Sequence, residues 1–173
     1  MYELTEDIRS LLPLRDPDGN KWTFGKVLLI AGSMNMAGAA VLSARAVLRS
    51  GAGMVRVLSC PENREIIQIS VPEALYGTYE DIENALEWAD VIAIGCGISK
   101  GDKAREILQR VIEESMLPLI VDADAINILS EDEALYKALA EDGARGRDII
   151  LTPHPAELMR ITHRAERFKD DGE

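Results

Sequence analysis

The sequence predicts an α/β protein in three layers, with helices on both faces of a mainly parallel sheet. Three observations carry that prediction. Short apolar runs recur at Val27–Ala31, Met54–Leu58, Val91–Ile94, Leu117–Val121 and Asp148–Leu151, and they read as strands covered on both faces. Stretches of helical spacing separate successive runs, the alternation expected of parallel strands joined by right-handed crossovers. Glycine and polar residues gather where the runs end, at Gly32-Ser33, Gly95–Gly97, Asp122–Asp124 and Thr152–His154. That is the edge at which open α/β sheets bind ligands.

Taken in order, Thr5 to Leu12 has the pattern of a short helix with Thr5 as N-cap, stopped by Pro13. Residues Arg15 to Asn20 are dense in turn formers and make a loop. Val27–Ala31 then stops abruptly at Gly32-Ser33, and Ala37–Ser50 supplies helix formers with Gly51 placed as a C-terminal cap. A strand, a Gly/Ser loop and a helix in succession form either a tight turn or a cradle of backbone N–H groups at a helix N-terminus. Neither G-x-G-x-x-G nor G-x-x-x-x-G-K-[ST] spacing is present, so the usual phosphate-binding readings lose their best support. A second strand over Met54–Leu58 follows Gly51-Ala52-Gly53, and Cys60–Asn63 opens a helix whose apolar side is Ile66, Ile67 and Ile69. Val71-Pro72-Glu73-Ala74 breaks it. Tyr79–Ala89 is helical, and Val91–Ile94 is a strand ending in Gly95-Cys96-Gly97. Lys103–Glu114 is an amphipathic helix with Ile107, Leu108, Val111 and Ile112 on one side. Leu117–Val121 leads into helices over Ala125–Leu129 and Glu133–Ala140, and Asp148–Leu151 is a last buried strand before a helix that starts at Pro155.

The 173 residues suit one domain, and a 47% hydrophobic content is enough for a sizeable core. With 19 Lys and Arg against 30 Asp and Glu, the net charge is −11. Such a surface repels phosphate backbones and anionic lipid, so nucleic acid and membrane are not expected partners. Cys60 and Cys96 are the two cysteines. Lacking metal-ligand spacing, they suit a reducing compartment. The acidic start, Met1 to Asp7, has neither the basic nor the apolar region of a signal peptide. No apolar run approaches the roughly 20 residues that cross a bilayer. The expected location is the cytoplasm.

Thr152-Pro153-His154-Pro155-Ala156-Glu157 is the most informative hexapeptide. Pro155 suits the first helical position, which makes His154 the N-cap and Glu157 the third residue. Glu157 then has the role of a capping side chain. Histidine is a mediocre N-cap, so at a strand end it is expected to donate to a ligand. Asp122 and Asp124 have two readings, as acid–base or metal carboxylates or as caps and loop anchors. Cys96 reads as a small buried hydrophobe, and His163 as a surface residue.

These segments together resemble the ADP/ATP-dependent NAD(P)H-hydrate dehydratases of the ribokinase-like superfamily. The resemblance rests on Phe24–Ser33, Met36–Ala40, Arg49–Gly53, Ala93–Gly97, Val121–Asn127 and Leu151–Glu157, in order and spacing, and spans about Arg15 to Ile161. It implies a ribokinase-like αβα fold and a repair lyase that removes water from hydrated NADH or NADPH. It places substrate near Ala39, Gly97 and His154, with Gly32, Ser33, Gly38, Gly95, Asp122, Asp124, Asn127 and Glu157 as further substrate or loop contacts. It implies ADP or ATP as cofactor, with Mg2+ as a candidate companion and no metal site among these residues. Two loops depart from the family pattern: Asn20-Lys21-Trp22 stands where His-Lys-Gly is usual, and Gly95-Cys96-Gly97 where Gly-Pro-Gly is usual.

The family's later Lys-Gly strand and Gly-Asp segment, which the resemblance makes the source of the nucleotide site and the catalytic aspartate, do not occur here. The catalytic aspartate is accordingly expected beyond Glu173, and no catalytic residue is assigned within the chain. Residues 1–173 are therefore expected to be a single, incomplete domain that supplies the substrate side and is inactive alone. It is expected to expose apolar surface for a second half or another copy of itself. A non-catalytic nucleotide-binding protein or scaffold is the alternative from a different class, and a small-molecule kinase is a third.

Overall fold

The computed structural model describes residues 14–170, with side chains described through Thr162. The helix expected over Thr5 to Leu12 and the side chain of His163 lie outside the described residues. So does Glu173, the residue beyond which the catalytic aspartate is expected. The strands are β1 (Lys26–Ile30), β2 (Met54–Leu58), β3 (Leu75–Gly77), β4 (Val91–Ile94), β5 (Leu119–Val121) and β6 (Ile149–Leu151). Between and after them come α1 (Ala37–Arg49), α2 (Arg64–Ser70), α3 (Ile82–Trp88), α4 (Asp102–Glu113), α5 (Ala123–Glu131), α6 (Glu133–Ala144) and α7 (Pro155–Asp170). One-turn 3-10 helices at Pro61–Asn63 and Tyr79–Asp81 precede α2 and α3.

The sheet order is β3-β2-β1-β4-β5-β6, and every neighbouring pair is parallel. The predicted αβα layering holds. On one face, α1 and α2 pack Ala40, Val41, Ala44, Ile67 and Val71 against Leu29, Val55 and Val57. On the other, α3 to α7 contribute Ile82, Leu86, Ile107, Leu108, Val111, Ile126, Ile128, Leu139 and Ile161 to a larger core with Leu28, Ile30, Ile92, Ile94, Leu119 and Val121. Side chains of this size stabilise a core by about 1.5–3 kcal/mol each when fully buried. In α4, Ala104, Ile107, Leu108, Val111 and Ile112 are all buried, because i, i+3 and i+4 spacing puts them on one stripe.

Three expectations are corrected here. β3 lies between the break at Val71–Ala74 and the helix expected from Tyr79, where no strand is expected, because Leu75-Tyr76-Gly77 is too short to form an apolar run. The strand over Ile149–Leu151 is not buried: Ile150 is 58% and Leu151 39% exposed. It is an edge strand with no partner beyond β5 among the described residues, so sheet position overrides its buried-strand composition. Helix α5 also starts at Ala123, two residues earlier than expected, which puts Asp124 inside it.

The amino edge of the sheet is held by a buried ion pair. Arg147 Nη1 donates to Asp142 Oδ2 at 2.9 Å, with both side chains at most 1% exposed. Arg147 also donates to the Leu117 carbonyl at 2.8 Å and the Val111 carbonyl at 3.3 Å. It thereby ties the end of α6 to α4 and to the entry of β5.

Candidate functional site at the carboxyl edge

The chain runs leftward from β1 to β2 and β3, then crosses to β4 on the other side of β1. The reversal falls between the carboxyl ends of β1 and β4, the crevice position where doubly wound sheets take ligands. Gly32 ends one wall and Gly97 the other. The Gly32 N–H donates to the Cys96 carbonyl at 2.9 Å, and the Gly95 N–H donates to the Ile30 carbonyl at 3.2 Å. Gly97 has φ +67°, and a Cβ there would sit 2.8 Å from the Ala39 Cβ and 3.2 Å from Met36 Cε. Only glycine lets this loop close onto the start of α1.

The first turn of α1 beside it has no side-chain cap at Met36 and no acidic residue. Gly38 there is exposed, with open space where a Cβ would be. Ala39, Gly97, Gly32, Ser33 and Gly38 are thus brought to one crevice.

The NAD(P)H-hydrate dehydratase family model matches residues 27–172. The chain belongs to that family. A bifunctional NAD(P)H-hydrate repair enzyme Nnr of Coxiella burnetii is 38% identical over 154 residues, which are 87% of this chain and 29% of that protein. An ADP-dependent (S)-NAD(P)H-hydrate dehydratase of Staphylococcus aureus is 34% identical, over 93% of this chain and 58% of that protein. Among solved structures, a ribokinase-like superfamily protein from Enterococcus faecalis superposes with TM-score 0.80 at 30% identity, covering 92% of this chain and 56% of that one. An ADP/ATP-dependent NAD(P)H-hydrate dehydratase from Bacillus subtilis, co-crystallized with ATP/Mg2+, gives TM-score 0.72 at 31% identity, over 95% and 57% of the two chains. The chain therefore spans little more than half of the monofunctional dehydratases and about three tenths of the bifunctional enzymes.

In this family member, His154 stands apart from the crevice, because β6 lies two strand positions from β4. Its ring does cap α7: Nδ1 accepts from the Ala156 N–H at 3.2 Å. The Glu157 carboxylate accepts from the His154 N–H at 3.0 Å and lies 3.1 Å from Nε2. This is the reciprocal arrangement of a capping box, so Glu157 does what the sequence suggested and His154 caps despite its poor propensity. Accepting at Nδ1 puts the ring proton on Nε2, and the His154 side chain is 58% exposed.

Asp122 does not cap α5 through its side chain. Its Oδ1 accepts from Thr152 Oγ1 at 2.8 Å and its Oδ2 from the Cys96 thiol at 3.1 Å. Asp124 is not a helix cap either; its Oδ2 accepts from the Ser99 N–H at 2.9 Å, across the loop that carries Gly97. Burial and the Asp122 carboxylate push the Cys96 thiol above its ordinary pKa, and the residue is half-buried rather than buried as expected. Asn127 lies half-buried in the second turn of α5. Among the described residues, no three His, Cys, Asp or Glu side chains are placed to hold a metal ion. No helix among them is long and apolar enough to cross a membrane.

The sequence did not reveal Ser59, Asn63 and Tyr79. The Gly32 carbonyl accepts from Ser59 Oγ and from the Tyr79 hydroxyl, both at 2.8 Å. Asn63 Nδ2 donates to the Ser33 carbonyl at 3.0 Å and to Ser59 Oγ at 2.9 Å. Ser59 is fully buried and Asn63 is 2% exposed. Three side chains from after β2 and before α3 thus fix the crevice wall. Asn63 had looked like part of a helix start and Tyr79 like an ordinary first-turn residue. Only their hydrogen bonds to Gly32 and Ser33 single them out.

Proposed function

We propose that this chain is the substrate-binding part of an ADP/ATP-dependent NAD(P)H-hydrate dehydratase, a lyase that removes water from hydrated NADH or NADPH. The observation that carries the reading is the crevice between β1 and β4, where Gly97 closes on Ala39 at the uncapped start of α1 in a chain of that family. A pyrophosphate suits a helix start that has no side-chain cap and no acidic residue, which offsets the repulsion expected from the −11 net charge. Gly97 and Ala39 form the floor, Gly32, Ser33, Gly38 and Gly95 shape the walls, and His154, with Nε2 beside the Glu157 carboxylate, stands at the far rim. Glu157 holds His154 in place, and Asn127 lies beside the β5 end.

ADP or ATP is the proposed cofactor, since the Bacillus subtilis relative was co-crystallized with ATP/Mg2+. The nucleotide and the acid–base group are assigned to the part of the domain that the longer relatives have in addition. The catalytic aspartate is placed in that part, in sequence beyond Glu173. Nothing assigns residues 1–173 an acid–base role, and the chain alone is expected to be inactive. That additional part is the proposed partner. It would pair with β6 and cover Ile150, Leu151, Leu158 and Met159, all 39% exposed or more.

Titration with NADPH tests the site. His154→Ala should weaken binding by about 1–3 kcal/mol. His154→Asn keeps an N-cap and should restore stability without restoring affinity. Recovery of affinity by Asn would reduce His154 to a cap. Dehydratase activity of the unaided chain on NADPH hydrate would overturn the division of labour.

A further inference from the structure

We propose that Asp122 and Asp124 are positioning residues that clamp the Gly95–Ser99 loop from both ends, so that Gly97 is presented to the dinucleotide and the His154 strand end is held in register with it. The proposal rests on the substrate reading given above. Five contacts tie this Asp-x-Asp segment to one loop. The Asp122 N–H donates to the Ile94 carbonyl at 3.0 Å, and the Asp124 N–H donates to the Gly95 carbonyl at 3.3 Å. A Cβ at Gly95 would lie 1.8 Å from the Asp122 carbonyl oxygen, so the two backbones pass in direct contact. The two carboxylates then take the Cys96 thiol and the Ser99 N–H, on either side of Gly97.

The geometry is held against local preference. Ser99 sits at φ +66° and Ala123, between the two aspartates, at φ +47°, where a Cβ is disfavoured. A residue keeps such a conformation when its surroundings over-determine it. The second oxygen of Asp122 accepts from Thr152, two residues before His154. One carboxylate therefore joins the ends of β4, β5 and β6, and with both oxygens engaged it is a holder of loops rather than an acid or base.

The Cys96 thiol reports on the clamp without any enzymatic assay. Iodoacetamide labelling of Cys96 in the intact chain is followed by peptide mass spectrometry, with Cys60 as internal reference, and NADPH affinity is measured on the same samples. Asp124→Ala is the decisive variant because Asp124 does not touch the thiol. It should speed Cys96 labelling about tenfold and weaken NADPH binding by a similar factor. Asp124→Asn retains an acceptor oxygen for the Ser99 N–H and should restore both. Asp122→Ala should speed labelling further.

Labelling in Asp124→Ala equal to that of the unaltered chain overturns the clamp. Faster labelling with unchanged NADPH affinity, or failure of Asp124→Asn to restore affinity, overturns the positioning role. Absence of NADPH binding in the unaltered chain overturns the substrate reading itself and the positioning role with it, whatever the thiol reports.

Discussion

Two rows of side chains cross the sheet one residue apart, and they end very differently. Leu28, Ile92, Leu119 and Ile149 are paired across β1, β4, β5 and β6. The first three are at most 1% exposed and Ile149 packs against the same core. In the adjacent row, Leu29, Ala93, Ile120 and Ile150 are paired the same way, but burial fades along it. Leu29 is 2% exposed, Ala93 and Ile120 are half-buried, and Ile150 is 58% exposed. Successive residues of a strand point to opposite faces, so this is a difference between faces. Helices α3 to α7 cover one face along its width, whereas α1 and α2 cover only the half around β1 and β2. The uncovered half is as apolar as the covered one, as a strand composition made for two covered faces requires.

The largest test of that contrast is truncation. Ile92→Ala should cost about 2–5 kcal/mol by opening a cavity in the covered face, measured by urea unfolding. Ile120→Ala, in the fading row, should cost well under half of that. Equal costs would mean that the second face is covered in solution. A smaller effect is expected from Tyr79→Phe, which removes a donor to Gly32 on the covered side and should cost about 0.5–1.5 kcal/mol. NADPH affinity should fall with it. A variant with unchanged affinity would detach the Gly32 wall from the site.

Smaller still is the effect of Ile150→Lys on the chain by itself, within about 0.5 kcal/mol, since the side chain is already exposed. Added to the remaining half of a relative's domain, the same variant should lose association and activity that the unaltered chain gains, as light scattering and a dehydration assay would show. Full complementation by Ile150→Lys would place the partner elsewhere.

The last prediction concerns pH. Burial pushes the Tyr76 hydroxyl up to about 12, where it donates to the Cys60 carbonyl at 2.7 Å, whereas an unfolded tyrosine ionises near 10. The folded state then binds more protons than the unfolded one above pH 10. The stabilisation is complete below that pH and is lost as pH rises towards 12. The urea midpoint should fall over this window, and Tyr76→Phe should flatten part of the fall. An identical slope in the variant would assign the effect to other groups.

Five of the six strands, the helices between them and the four polar strand ends were legible because each rests on local pattern: apolar runs, helical spacing, glycine at sharp turns. β3 was not, since three residues carry no periodicity. The exposure of β6 was not either, since composition records what a strand is made to bury and not what lies beside it. Among the residues proposed for the site, Gly32, Gly97 and the cap at Glu157 could be read from sequence. Ser59, Asn63 and Tyr79 could not, because each matters only by meeting Gly32 or Ser33 across intervals of 27, 30 and 47 residues.

The sequence by itself determined the alternation of strands and helices, the polar carboxyl edge and the family, all properties of short segments and their order. The tertiary structure alone decided that Asp124 holds a loop instead of capping α5, that His154 caps α7 at a distance from the β1–β4 crevice, and that one face of β4–β6 stands open among the described residues. Each depends on which backbones lie side by side in the sheet. That is fixed by crossover connections and long-range packing, to which no local pattern of residues is sensitive.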